Sequence, residues 1–85
     1  MTHRVPIEDR IDLHTFAPRD VASVVEEYIH AAHDAGLREV RIIHGRGKGI
    51  QRGIVQQMLE RHPLVVEFWD ALGTHLGATV ARLRE

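Results

Sequence analysis

Two histidines and a glycine-rich segment are the residues of this chain whose types and spacing can do chemistry. An apolar pair, Ile42–Ile43, leads into His44, and glycine then fills every second position at Gly45, Gly47 and Gly49. Glycines let a backbone turn sharply and approach a ligand closely. The helix predicted next would offer unpaired N–H groups at the positive end of its dipole. The segment therefore predicts a phosphate site beside a titratable histidine.

Basic side chains accompany these glycines. Arg46 and Lys48 alternate with them, and Arg52 follows one turn into the helix. Residues 36–62 hold six basic residues against two acidic ones, whereas residues 16–35 hold one against four. A local basic patch of this size suits contact with a few phosphates. We predict that Gly45, Arg46, Gly47, Lys48, Gly49 and Arg52 bind phosphate; the alternatives are a tight turn without a ligand and ordinary surface charge.

His44 is the first candidate catalytic residue, followed by His14 and Asp12. Imidazole gives or takes a proton near neutral pH, so His44 and His14 can share the acid and base roles of phosphodiester cleavage. Asp12 and His14 are two apart on a predicted strand and so share one face, where Asp12 can orient His14 or His44. The alternatives are that His44 only shapes the glycine loop and that Asp12 only caps a backbone N–H.

Composition limits the class of protein. The 85 residues suffice for one domain, and a net charge of −1 with 44% hydrophobic and 27% charged residues is typical of a globular chain. The absence of cysteine excludes disulfides, thiolate zinc sites and a cysteine nucleophile. No apolar run reaches the ~18 residues of a membrane span, so we expect a cytoplasmic protein without a membrane partner. Zinc held by His30 and His33 would lack an evident third ligand.

The elements that must position these residues alternate along the chain. We expect a flexible arm over residues 1–9 and one domain over residues 10–85, with strands at 10–14, 39–43, 64–71 and 78–83. A helix from Pro18 to Ala35 has apolar residues at i, i+3, i+4 and i+7 and ends at Gly36. A second helix, over residues 50–62, has an apolar face that includes Ile50.

The order β-α-β-α-β-β predicts a two-layer α/β sandwich. Strand–helix–strand units make parallel pairs, and the last two strands are close enough to form a hairpin. Two helices cover one face of a four-stranded mixed sheet and leave the other partly open. If the first two strands are parallel neighbours, His14 and His44 follow them at the carboxyl edge, where open α/β sheets bind ligands. Phe68 and Trp69 then point to opposite faces, and the exposed ring can stack on a base or lie in a dimer.

Two motifs resemble those of a known family. Ile11-Asp12-Leu13-His14 resembles the LDLHG motif of the Smr (small MutS-related) domain, and His44-Gly45-Arg46-Gly47 resembles its HGxG motif. The spacing, the element order and the closing Gly77-Ala78-Thr79-Val80 strand are similar as well. Thr15 replaces the glycine that ends the first motif, where its side chain narrows access beside His14 or adds a hydroxyl near the phosphate.

The resemblance implies a fold like the C-terminal domain of translation initiation factor three, nucleic-acid binding and, in several members, endonuclease activity. We expect structured or branched DNA or RNA as the partner and a monomer or weak dimer. RNA needs no metal, because its 2′-hydroxyl can attack, whereas DNA needs an activated water, with Mg²⁺ or Mn²⁺ held by Asp12. The alternatives are a non-catalytic binding module of repair or ribosome-associated complexes and a binder of small phosphate ligands.

Overall fold

A computed structural model describes residues 7–45, 49–71 and 77–85. The first helix, α1, runs over Pro18–Asp34 and begins with proline at its first turn and Asp20 near the positive end of the dipole. It ends in a Schellman motif at Gly36, whose φ is 86°. There the N–H of Gly36 donates to His33 O at 3.0 Å and the N–H of Leu37 donates to Ala32 O at 3.0 Å.

The other elements follow the predicted order. Their bounds are Arg10–Asp12 for β1, Glu39–Ile43 for β2, Ile50–Arg61 for α2, Val65–Asp70 for β3 and Ala78–Leu83 for β4. The sheet order is β1-β2-β4-β3, with β1 and β2 parallel and both pairings of β4 antiparallel. The predicted mixed four-stranded sheet with two helices is confirmed. Neither described helix is long and apolar enough to cross a membrane.

The core lies between the helices and one face of the sheet. Alternate residues of β2 and β4 enter it, as do the apolar stripes of both helices. The largest fully buried side chains are Leu13, Val21, Val25, Ile29, Val40, Ile42, Val55, Leu59 and Thr79. Glu8, two residues before β1, is attached to this core, because Tyr28 Oη donates to Glu8 O at 2.6 Å. Burial, followed by the charges of Asp9 and Glu8, raises the pKa of Tyr28 to about 12.

Three local predictions are corrected. The first strand ends at Asp12 and not at His14, because Oδ1 of Asp12 accepts the His14 N–H at 3.0 Å and turns the chain out of the sheet. Ile50 is 61% exposed and is not part of the apolar face of α2, because it is the first helical residue. The second helix ends at Arg61, and His62 follows as its buried cap residue.

Candidate functional site

The carboxyl ends of β1 and β2 form the edge at which the two candidate histidines lie. Asp12 is in register with Ile43, and the Leu13 N–H donates to Ile43 O at 2.9 Å. His14 and His44 are the residues that follow these paired positions. The parallel pairing thus places both histidines at one edge of the sheet, as the sequence predicted.

His14 and Asp12 form an exposed pair. Nδ1 of His14 lies 2.8 Å from Oδ1 of Asp12, and the two side chains are 73% and 44% exposed. The backbone N–H of His14, and then its ring, lower the pKa of the Asp12 carboxyl. A carboxylate accepts a hydrogen bond, so Nδ1 carries the proton and Nε2 of a neutral His14 is left as an acceptor. This arrangement suits proton transfer by Nε2.

His44 is buried and bonded through both ring nitrogens. Nδ1 lies 3.1 Å from Gly45 O, and Nε2 lies 2.9 Å from Oγ1 of Thr79. A carbonyl oxygen can only accept, so Nδ1 carries a proton and Nε2 of the neutral ring accepts the Thr79 hydroxyl hydrogen. In this arrangement the ring fixes the chain at Gly45 and presents no unoccupied nitrogen.

The Thr79 hydroxyl links His44 to a polar network under the sheet edge. Gln56 Nε2 donates to Thr79 Oγ1 at 3.1 Å and to Asp70 Oδ1 at 2.9 Å. Arg52 donates to both carboxylate oxygens of Asp70, with Nε at 3.0 Å and Nη2 at 2.7 Å. Arg52, the largest cause, lowers the pKa of the Asp70 carboxyl. Arg52 therefore lies near the site as predicted, but an internal carboxylate already binds its guanidinium.

The N-terminus of α2 opens beside this network. Gly49 is its cap residue with φ of 81°, and the first helical hydrogen bond runs from Gly53 N–H to Gly49 O at 2.9 Å. The N–H groups of Ile50, Gln51 and Arg52 therefore have no acceptor within the helix, which is the arrangement that binds anions. A depression of about 230 Å³ lies here, lined by Pro18, His44, Gly45, Gly49, Ile50, Gln51 and Arg52. A larger groove of about 430 Å³ between the helices contains no predicted site residue.

The predicted residues thus fall into two groups. His44, Gly45, Gly49 and Arg52 line the depression, and Asp12 and His14 form their own pair at the same edge. The predictions for Arg46, Gly47 and Lys48 lie outside the described residues. Sequence reasoning missed Thr79, Gln56 and Asp70. A threonine at a core-facing position of β4 was the available signal, because a buried hydroxyl requires a partner.

A second histidine cluster joins the two helices. Nε2 of His30 lies 2.8 Å from Oε1 of Glu26, and Nε2 of His62 lies 2.9 Å from Oε2 of the same carboxylate. His30 is therefore beside Glu26 and His62, and among the described residues no group of three possible ligands includes His33. The Leu64 N–H donates to Nδ1 of His62 at 3.1 Å, so Nε2 of the neutral ring holds a proton and is not an available metal ligand.

The fold and edge define a class: a two-layer α/β domain with a helix N-terminus and two histidines at the carboxyl edge of its sheet. Residues 11–84 match the Smr domain family, and the chain belongs to that family. It is similar to Endonuclease MutS2 of Caldicellulosiruptor saccharolyticus, with 39% identity over 79 residues that are 88% of this chain and 10% of that protein. Endonuclease MutS2 of Clostridium tetani is 37% identical over 82 residues, which are 92% of this chain and 10% of the relative.

Solved structures agree in fold. The Smr domain of Thermus thermophilus MutS2 superposes with a TM-score of 0.84 at 31% identity, over 89% of this chain and 98% of that one. YdaL, a stand-alone small MutS-related protein from Escherichia coli, gives a TM-score of 0.83 at 29% identity, over 91% of this chain and 65% of that one. The chain thus spans about a tenth of the MutS2 relatives and nearly all of the isolated Smr domain.

Proposed function

We propose that this chain is a nucleic-acid-binding Smr domain that cleaves phosphodiester bonds, with His14 as its proton-transfer group. The observation that carries the proposal is the exposed pair of His14 and Asp12 at 2.8 Å, at the same sheet edge as the N-terminus of α2. Relatives named Endonuclease MutS2 support the reaction class. These relatives are about ten times longer than this chain, so the assignment of their activity to this chain is part of the proposal.

The chemistry divides between these two features. Nε2 of His14 takes the proton from the attacking oxygen while Asp12 holds the ring in that tautomer and stabilises the imidazolium. The N–H groups at the start of α2 bind the phosphoryl oxygens and stabilise the charge that develops on them. RNA is the favoured substrate because its 2′-hydroxyl is an internal nucleophile, and the leaving oxygen can take its proton from solvent at this exposed edge.

His44 takes a positioning role in this account. Its two internal hydrogen bonds hold Gly45 in the wall of the depression, and Thr79 ties the ring to Gln56. The predicted acid or base role of His44 would require the Thr79 hydroxyl to turn away from Nε2. Arg46, Gly47 and Lys48 remain predicted phosphate contacts of the same loop.

A divalent metal is not needed for the RNA reaction. Both described bonds from His14 reach Oδ1 of Asp12, so Oδ2 is the oxygen available to Mg²⁺ or Mn²⁺. Mg²⁺ is commonly bound through one or two carboxylates together with substrate phosphates, so Asp12 fits as one ligand of an ion that arrives with the substrate. Such an ion would supply an activated water for DNA.

The test is cleavage of labelled structured RNA and supercoiled DNA, with Mg²⁺, with Mn²⁺ and with EDTA. His14→Ala should reduce cleavage by roughly 10²–10⁴-fold while binding survives. His30→Ala is the matched control, because His30 is also an exposed histidine 2.8 Å from a carboxylate. Cleavage by His14→Ala at the wild-type rate would contradict the assignment, and the EDTA lanes decide the role of the metal.

The second candidate is a binding module without catalysis, in repair or ribosome-associated complexes. The engagement of both His44 nitrogens by Gly45 and Thr79 favours it, since one predicted catalytic group is occupied. Salt-sensitive binding of nucleic acid without cleavage would support this candidate, whereas salt-insensitive binding would indicate a small phosphate ligand. For either candidate function we propose that the chain is located in the cytoplasm and is a monomer or a weak dimer.

A further inference from the structure

The face of the sheet opposite the helices presents its side chains in three rows. Core residues of β2 and β4 alternate with the residues of this open face. The strand register aligns Glu39, Arg82 and Glu67 in the first row, Arg10, Arg41, Val80 and Trp69 in the second, and Asp12, Ile43 and Ala78 in the third. We call the second set the arginine–tryptophan row. It lies two residues, about 7 Å, from the row that contains Asp12.

Each outer row contains an ion pair, whereas the arginine–tryptophan row contains two cations and no carboxylate. Arg82 donates to Glu67 across the hairpin, and Asp12 is paired with His14. Arg10 and Arg41 are directly opposite each other, and within residues 7–45, 49–71 and 77–85 neither is ion-paired with a carboxylate. Like charges opposite one another destabilise a sheet. An anion bound between these guanidinium groups would remove that repulsion.

An aromatic ring completes the same row. Trp69 is 39% exposed and stands beside Val80, which is buried, while Phe68 takes the core-facing position of β3. The row crosses three strand spacings, about 14 Å, from Arg10 to Trp69. An exposed ring on an open four-stranded sheet, with guanidinium groups on neighbouring strands, is an arrangement that stacks unpaired bases and holds their phosphates.

We propose that the arginine–tryptophan row binds an unpaired stretch of nucleic acid, with a base stacked on Trp69 and phosphates on Arg10 and Arg41. This rests on the proposed function, because it extends the same ligand from the carboxyl edge onto the open face. A base paired within a duplex cannot offer its face to the indole, so the surface selects single strands, loops or splayed ends. A second copy of the chain is a poorer occupant, because two of the three carboxylates in these rows, Asp12 and Glu67, are already paired, and among the described residues only Glu39 is left to meet two arginines of a partner.

Trp69 is the only tryptophan of the chain, so its fluorescence reports on this surface directly. Titration of the full chain with an unpaired oligouridine or oligothymidine should quench the indole, and an equimolar perfect duplex should quench it much less. Trp69→Ala should weaken binding of the labelled single strand by roughly tenfold. Trp69→Phe should recover most of that affinity because it keeps an aromatic face, and Val66→Ala, an exposed apolar residue of the same strand, should change nothing.

The contribution of Arg10 and Arg41 is tested by the salt dependence of single-strand binding. Replacing Arg10 and Arg41 with glutamine should lower the salt slope of single-strand binding by about 0.7 for each phosphate that the variant no longer neutralises. Unchanged affinity in Trp69→Ala, equal quenching by duplex, or a dimer in sedimentation that Trp69→Ala dissolves would overturn the inference. Cleavage without quenching of Trp69 would contradict binding at the arginine–tryptophan row but would leave the proposed function intact. Quenching of Trp69 without cleavage would support binding at the arginine–tryptophan row and contradict the catalytic proposal.

Discussion

His14 and His44 follow neighbouring parallel strands at one sheet edge, yet their surroundings differ in every respect that matters for chemistry. His14 is 73% exposed and has one described side-chain partner, Asp12. His44 is buried, and each of its nitrogens has a protein partner. A fully bonded buried imidazole holds the backbone in place, whereas an exposed imidazole with one oriented nitrogen can transfer a proton. Two histidines from similar motifs can therefore have different roles, with His44 holding the structure in place and His14 available for the reaction.

The largest expected difference is in stability. His44→Ala removes a buried ring and leaves the Thr79 hydroxyl without its acceptor. It should therefore lower the free energy of unfolding by about 3 kcal/mol. His14→Ala should stay within about 0.5 kcal/mol of wild type, because the side chain is exposed. Urea unfolding of both variants checks this, and equal losses would break the comparison.

Thr79→Val isolates the hydroxyl that joins His44 to the network. The substitution keeps the shape of a fully buried side chain but leaves Nε2 of His44 without its donor. We expect a loss of about 1–3 kcal/mol in the free energy of unfolding. Thr15→Val is the control, since Thr15 is exposed. Thermal and urea unfolding measure both, and a neutral Thr79→Val would show that the network is not structural.

Two glycines of the α2 N-terminus should respond in opposite directions. Gly49 has a φ of 81°, so Gly49→Ala should destabilise the fold by about 1 kcal/mol. Gly53 lies within the helix with open space where a Cβ would stand, so Gly53→Ala should stabilise it by about 0.5–1 kcal/mol. Urea midpoints test the pair. Stabilisation by both would mean that the left-handed cap residue does not shape the anion site.

The smallest effect is expected in acid. The pKa values of Asp12 and Asp70 are lowered in the fold, so between those values and the ordinary 3.8 the unfolded chain binds more protons. This stabilisation is present above the ordinary value and is lost as pH falls through the folded one. Asp70→Asn should therefore flatten the decline of Tm below about pH 5. If the decline of Tm in Asp70→Asn matched that of wild type, Asp70 would not contribute to the acid sensitivity of the fold.

The sequence predicted the elements well because periodicity, Pro18 and Gly36 act locally. The apolar stripe of α1, with its end at Gly36, needed no knowledge of the rest of the chain. Element order predicted that β1 and β2 run parallel, and the condition that sets both histidines at one edge, that these strands are neighbours, is met in the structure. Ile50 was misassigned because helical spacing does not tell whether the first residue of a helix reaches the core.

The site was less predictable because its contacts join distant parts of the chain. The bond from His44 to Thr79 joins β2 to the last strand, and Gln56 links Thr79 to Asp70. No spacing in the sequence marks such a network. Asp12 was predicted to orient His14 or His44, and the structure places it in contact with His14. The Asp12 carboxylate also turns the chain at this point, which shortens β1.

The most direct test of the division between the histidines is a single-turnover RNA cleavage rate, measured well below the unfolding temperature for His14→Ala and Thr79→Val side by side. We expect that His14→Ala, though as stable as wild type, loses at least about a hundredfold in rate. Thr79→Val, though less stable, should keep its rate within about tenfold. The reverse order, with Thr79→Val inactive and His14→Ala active, would make His44 the reacting group and contradict the account.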